Sequence, residues 1–81
     1  MELKKGQVVR CGAGREQGGF FLVLAVCGRT ALICDGRHRP LERPKKKNVI
    51  HLSPTSTVLP DSSMRSNREI RNALRPFLGA G

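Results

Sequence analysis

The sequence predicts a small, mostly β protein: an antiparallel barrel of about five short strands, followed by a C-terminal helix. Three observations predict this fold class. With 81 residues, the chain has room for one small core. Short apolar and β-branched runs before residue 53 are separated by glycine, proline and Asp-Gly turn signals. A helical repeat of apolar residues follows only after residue 66.

The first three strands are separated by glycines. Residues 6–11 have β-branched residues behind a glycine and predict the first strand. Four glycines in the next eight residues predict a tightly shaped loop: Gly12, Gly14, Gly18 and Gly19. The continuous apolar run of residues 20–27 predicts a central strand covered on both faces. A tight turn at Gly28-Arg29 then leads into a third strand, residues 30–34, as an antiparallel hairpin.

Two further strands are expected after the Asp35-Gly36 dipeptide, which is typical of a type I′ hairpin turn. Residues 37–41 are predicted to form a short edge strand, because nearby prolines cannot donate a backbone hydrogen bond. Lys45, Lys46 and Lys47 are expected in a projecting turn, since a strand would split their charge between two faces. Residues 48–52 restore a strand pattern.

The predicted organisation is a barrel over residues 1–52, a Ser/Thr/Pro-rich linker over 53–65 and an amphipathic helix over 66–78. Ser66 and Glu69 form a capping box. Apolar residues then recur at helical spacing, at Ile70, Ala73, Leu74 and Phe77, and predict a face packed on the barrel. Pro76 is expected to end or kink the helix near Arg75. A basic stripe occupies another side of the helix, at Arg68, Arg71 and Arg75.

The charge balance indicates an anionic polymer as partner. Fifteen Lys and Arg residues against six Asp and Glu give a net charge of +9, which favours nucleic acid. No stretch approaches the roughly 20 apolar residues of a membrane helix, and the first residues do not resemble a secretory signal. We therefore expect a soluble cytoplasmic protein without a membrane partner. Binding to an anionic membrane surface is a minor alternative.

The cysteines and histidines indicate neither a metal site nor catalysis. Cys11, Cys27 and Cys34 are odd in number and form no CxxC pair, so we expect reduced, buried structural thiols. A zinc site made of Cys27, Cys34, His38 and His51 would have spacings unlike those of known fingers. GAGREQGG lacks the lysine of a phosphate loop. We expect no cofactor, no small-molecule substrate and no enzymatic activity.

With these elements placed, residues 6–26 have the sequence GQVVRCGAGREQGGFFLVLAV. This segment resembles the KOW motif, a glycine-punctuated strand–loop–strand element of ribosomal proteins and of transcription factors of the NusG type. The later DG, RPLERPKKKN and HL are similar to small bacterial KOW-domain RNA-binding proteins related to archaeal and eukaryotic large-subunit ribosomal proteins. The resemblance covers residues 5–52, with Gly6 and Gly14 at motif glycines, and more loosely NREIRNAL. It implies an SH3-like barrel that binds RNA and is associated with translation.

Seven side chains are predicted to contact RNA phosphates: Arg15, Arg37, Arg39, Arg43, Lys45, Lys46 and Lys47. Arg15 lies in the glycine loop. The other six lie within residues 37–51, a segment that contains only one acidic residue, Glu42. The alternative is that the lysines protect a sheet edge from aggregation. The glycines are assigned to loop geometry alone.

The predicted partner is structured RNA, with ribosomal RNA implied by the resemblance. The chain has no Tyr or Trp, and its three Phe residues fall in buried patterns, so base stacking on aromatic residues has little support. The alternative function is a protein-interaction module that docks on a ribosomal protein or a transcription component.

Overall fold

A computed structural model describes residues 2–78, which form a five-stranded antiparallel sheet and one α-helix. Residue 1 of the predicted barrel range lies outside the described residues. The strands are β1 Gln7–Cys11, β2 Phe20–Cys27, β3 Thr30–Cys34, β4 Lys45–Asn48 and β5 Leu52–Val58, and the helix is α1 Asn67–Leu78. Three 3-10 turns lie at Gly14–Glu16, Val49–His51 and Asp61–Met64. The strand order β4-β3-β2-β1-β5 and the C-terminal helix confirm the predicted fold class.

Both faces of the sheet are buried in the first half of β2, over Phe21–Val23, whereas Ala25, Val26 and Cys27 are exposed, so the predicted cover on both faces holds for only part of the apolar run. One cluster fills one face of the sheet: Val9, Cys11, Phe21, Val23, Ala31, Ile33 and Leu52. The second cluster joins the opposite face to α1 and contains Val8, Leu22, Cys34, Ile70 and Leu74. Adjacent core residues of β1, β2 and β3 therefore belong to different clusters, as the two-residue repeat of a strand requires. The predicted packing of the helix through Ile70, Leu74 and Phe77 is confirmed.

The start of α1 is fixed by the predicted capping box. The Glu69 backbone N–H donates to the Ser66 hydroxyl at 3.1 Å, and that hydroxyl donates to the Glu69 carboxylate at 3.3 Å. Asn67 connects the helix to the segment before β4, accepting a hydrogen bond from the Leu41 backbone N–H at 2.8 Å. Pro76 does not end the helix at Arg75, since α1 continues to Leu78. A proline this near the end of a helix removes a single backbone hydrogen bond.

The predicted fourth strand is wrong. Residues 37–41 form bends and turns, and the edge strand is instead the lysine run of β4, which begins directly after Pro44. Asp35-Gly36 does not make a type I′ turn, because only Gly36 has a positive φ. The Asp35 carboxylate instead accepts hydrogen bonds from the backbone N–H groups of Arg37 and Arg39, at 2.9 and 2.8 Å. These bonds close a wider loop over residues 35–39.

The predicted fifth strand and linker are also displaced. Residues 49–51 form a 3-10 turn, and β5 runs through Val58, in the first half of the segment expected to be a linker. β5 pairs with β1, and the Thr55 hydroxyl donates to the Val8 carbonyl at 2.7 Å. Pro54 is tolerated because β5 is an edge strand. The Ser and Thr residues of β5 lie in a half-exposed strand. Because such polar residues are also typical of linkers, composition alone suggested a linker here.

The β2–β3 hairpin is confirmed, and it turns at the end of the sheet opposite to Phe20 and Cys34. Gly28 has a φ of +60°, which is the conformation required at the first central position of a type II′ turn.

Within residues 2–78, no helix combines the length and the apolar composition that crossing a membrane requires.

Candidate nucleic-acid interface

An arginine-lined groove lies where the β1–β2 loop, the 35–39 loop and the C-terminal half of α1 meet. It has a volume of about 690 Å³. Five arginines line it: Arg15, Arg37, Arg39, Arg71 and Arg75. Its apolar lining consists of Phe20, Phe21, Leu74 and Leu78. Two carboxylates, Glu16 and Asp35, also belong to its lining. The five arginines outnumber them, so the charge of the groove is mainly positive.

Glu16 ties the glycine loop to two other elements. Its carboxylate accepts hydrogen bonds from the Arg39 guanidinium at 2.7 Å and from the Lys47 ammonium at 3.1 Å. The side chain is only 8% exposed. The hydrogen bond from Arg39, assisted by Lys47, lowers the pKa of Glu16 to about 2, although burial opposes this shift. Glu16 therefore stays ionised and holds Arg39 and Lys47 in place.

The glycine loop is built around close backbone approaches. The Gly18 N–H donates to the Cys11 carbonyl at 2.7 Å, and the Cys11 N–H donates to the Gly19 carbonyl at 2.9 Å. Gly14 has a φ of +75°, and a Cβ there would come within 2.7 Å of the Lys47 ammonium nitrogen. A side chain at Gly14 would thus be strained and would press on the Glu16–Lys47 pair. Gly12 donates its N–H to the His51 carbonyl at 2.8 Å.

The 35–39 loop positions Arg37 at the groove. Gly36 is buried against α1, and a Cβ on it would collide with the Asn67 carbonyl oxygen. The chain therefore passes under the helix and emerges at Arg37, whose side chain is exposed. Among residues 2–78, neither Arg37 nor Arg15 makes a side-chain hydrogen bond or ion pair that meets ordinary distance limits. Both guanidinium groups are available to a ligand.

α1 contributes two arginines that the sequence placed in a basic stripe but not among the RNA contacts. The Arg71 guanidinium donates to the Gly36 carbonyl at 2.7 Å, and Arg75 donates to the Asn72 side chain at 3.2 Å. Their spacing of four residues puts them on one face of the helix. That spacing was the available signal, but the sequence did not show that this face borders the glycine loop. Arg68 does not line the groove.

The predicted RNA contacts divide between the groove and the sheet edge. Arg15, Arg37 and Arg39 line the groove, whereas Arg43 and the lysine run do not. In β4, Lys47 pairs with Ala31 and Lys46 with Leu32, so these two lysines point to opposite faces. Lys47 is largely buried at its ion pair with Glu16. The lysines thus form an edge strand rather than the expected projecting turn, the position foreseen by the alternative interpretation.

The cysteines differ in exposure. Cys11 and Cys34 are buried as expected, and burial raises the pKa of the Cys34 thiol to about 12. Cys27 is exposed, contrary to the prediction, because β2 loses its cover beyond Leu24. Cys27 pairs with Thr30, four residues before Cys34 along β3, a separation of roughly 13 Å at strand geometry. One zinc ion could not bind both thiols. Within residues 2–78, no three His, Cys, Asp or Glu side chains gather as metal ligands.

Comparison with models of known protein families finds no match for this chain, and comparison with curated proteins finds no significant match.

Proposed function

We propose that this protein binds structured RNA, that phosphates bind at the arginine-lined groove, and that the RNA is ribosomal. The observation that carries the proposal is the convergence of five arginines from three separate elements on one groove. Guanidinium groups donate paired hydrogen bonds with a geometry that matches phosphate oxygens. Concentrated positive charge around a concave surface attracts a polyanion.

The ion pairs of the site support this assignment. Glu16 neutralises part of the charge of Arg39 and Lys47, yet Arg15 and Arg37 stand on the same rim without such a partner among the described residues. The Asp35 carboxylate is occupied by backbone N–H groups of its own loop. The groove therefore keeps an excess of positive charge that a phosphate backbone would neutralise.

The resemblance to KOW-domain RNA-binding proteins supports the choice of RNA and of the ribosome. The motif glycine Gly14 lies in the loop that carries Arg15. The resemblance implies that this loop, between the first two strands, is among the family's RNA or protein contact surfaces. In this proposal the protein is a KOW-type RNA-binding protein of translation, acting without catalysis. Arg43, Lys45 and Lys46 supply general attraction and protect the edge of the sheet.

Titration of a labelled RNA hairpin at several salt concentrations tests the proposal. If phosphates supply most of the affinity, it should fall about tenfold or more between about 50 and 200 mM salt. Fluorescence anisotropy measures this directly. Absence of binding at the lowest salt, or affinity that does not change with salt, would refute phosphate-driven RNA binding.

A second candidate function, docking on a ribosomal protein or transcription component, is favoured by a separate, partly apolar hollow. This hollow of about 340 Å³ is lined by Leu3, Val26, Val49, Leu52 and Pro54 among others. The neighbouring Ile50 is 78% exposed. An apolar docking surface would give affinity for a protein partner that changes little with salt, which separates it from phosphate binding.

A further inference from the structure

The groove contains more apolar surface than phosphate binding requires. Phe20, at the start of β2, is half-buried and lines the groove. Its ring packs against Phe77, with centroids 5.4 Å apart and planes tilted by 38°. Leu78 stands at the same groove and is 59% exposed. An anion alone would gain nothing from this surface, so its ligand should also carry an apolar face.

The arginines of the groove fall into two groups. Arg71 donates a hydrogen bond to the 35–39 loop, and Arg75 donates one to Asn72 within α1. Arg15 and Arg37 are exposed and keep their donors for a ligand. Planar guanidinium groups and aromatic rings both stack on nucleobases, and exposed guanidinium groups bind phosphate. The groove therefore offers stacking contacts to the base of a nucleotide and hydrogen bonds to its phosphate.

The size of the groove limits its occupant. A volume of about 690 Å³ lies within the range of about 300–1,000 Å³ typical of small-ligand sites. A base within a duplex is already stacked and paired and cannot enter such a groove, whereas a bulged or looped base is available. The fit is to one unpaired nucleotide within an otherwise structured RNA.

We propose that the groove binds one unpaired nucleotide of a structured RNA, with its base against Phe20 and Leu78 and its flanking phosphates on Arg15 and Arg37. This inference rests on the proposed RNA-binding function and adds a preference for bulged or looped RNA. The preference should tolerate all four bases, because every base presents a stacking face.

Two RNA hairpins that differ only by one bulged nucleotide test the inference. The wild-type protein should bind the bulged hairpin at least about fivefold more tightly than the fully paired one, from the stacking of one base. Leu78→Gln removes apolar surface from an exposed position of the groove and should reduce this preference. Phe20→Leu should also reduce it, with circular dichroism to check folding.

Ile50→Gln is the matched control, since Ile50 is an exposed apolar residue outside the groove. It should keep the full preference. Equal, salt-dependent affinity of the wild type for both hairpins would overturn the unpaired-nucleotide inference and leave RNA binding intact. Binding to neither hairpin would overturn the proposed function itself. A loss of preference in Ile50→Gln equal to that in Leu78→Gln would place the nucleotide outside the groove.

Discussion

Glu16 accepts hydrogen bonds from two basic side chains that the sequence had assigned to RNA. This contact gives the lysines of β4 different roles. The Lys47 side chain is 12% exposed and bonded to Glu16, whereas Lys46 points to the opposite face and is exposed. Charge in the sequence is therefore a poor guide to charge available to a ligand.

The two lysines should respond differently to the same substitution. Lys47→Gln removes a hydrogen bond to a charged, buried carboxylate and should lower the free energy of unfolding by about 1–2 kcal/mol. Lys46→Gln should change it by no more than about 0.5 kcal/mol. Urea denaturation of both variants measures the difference. Equal free energies of unfolding in the two variants would mean that the hydrogen bond from Lys47 to Glu16 does not stabilise the fold.

The lowered pKa of Glu16 predicts a loss of stability in acid. Its pKa falls from 4.5 to about 2 on folding, so the folded state binds this proton less readily than the unfolded state. The stabilisation is complete above pH 4.5 and is lost as the pH falls towards 2. It amounts to about 1–2 kcal/mol after allowance for solvent screening.

Glu16→Gln isolates this titration from those of the other carboxylates. Because glutamine does not ionise, the wild type should be more stable than the variant above pH 4.5, and the difference should vanish towards pH 2. Denaturation midpoints across this range give the comparison. A difference that stays constant with pH would rule out an ionised, hydrogen-bonded Glu16 as its source.

The helix α1 has two roles, since its apolar face completes a core cluster and its arginines form one wall of the groove. Leu74 is 1% exposed, so Leu74→Ala should leave a cavity and cost about 2–4 kcal/mol. Thermal or urea unfolding measures this loss. An unchanged midpoint would mean that the helix does not pack on the sheet.

Elements with a strong periodic pattern could be predicted from the sequence, and elements fixed by distant contacts could not. β2, β3 and α1 follow from continuous or helical apolar patterns and lie where they were expected. β4 and β5 consist mainly of Lys, Ser, Thr and Pro, residues that composition assigns to turns and linkers. They are strands because β3 and β1 offer them free backbone groups.

The residues of the candidate site also differ in whether the sequence could identify them. Arg15 could be selected from the sequence because it lies in the predicted glycine loop, and Arg37 because it begins the segment of concentrated basic charge. Arg71 and Arg75 were visible as a helical stripe, but their place in the groove depends on how α1 docks on the sheet. Burial of Lys47 by Glu16 joins residues 31 positions apart, and no local pattern indicates such a pair.

Across the whole molecule, the position of a charge matters more than the total. The protein measures 27 × 26 × 24 Å, which is about three times the screening length of about 8 Å at physiological salt. Arginines on the far side of the protein therefore add little to the attraction at the groove. A net charge of +9 favours association with any polyanion, and we propose that a polyanion binds at the groove.

The central claim, that RNA phosphates bind in the groove, is tested most directly by comparing two double variants of equal charge. Arg15→Gln with Arg37→Gln alters exposed groove residues, and Arg29→Gln with Arg65→Gln alters exposed arginines elsewhere. For the groove variant, the log–log slope of RNA affinity against salt should become shallower by about 1.5–2 units. The slope for the other variant should stay close to that of the wild type. Equal changes in the two folded variants would contradict binding at the groove and would reduce its arginines to general surface charge.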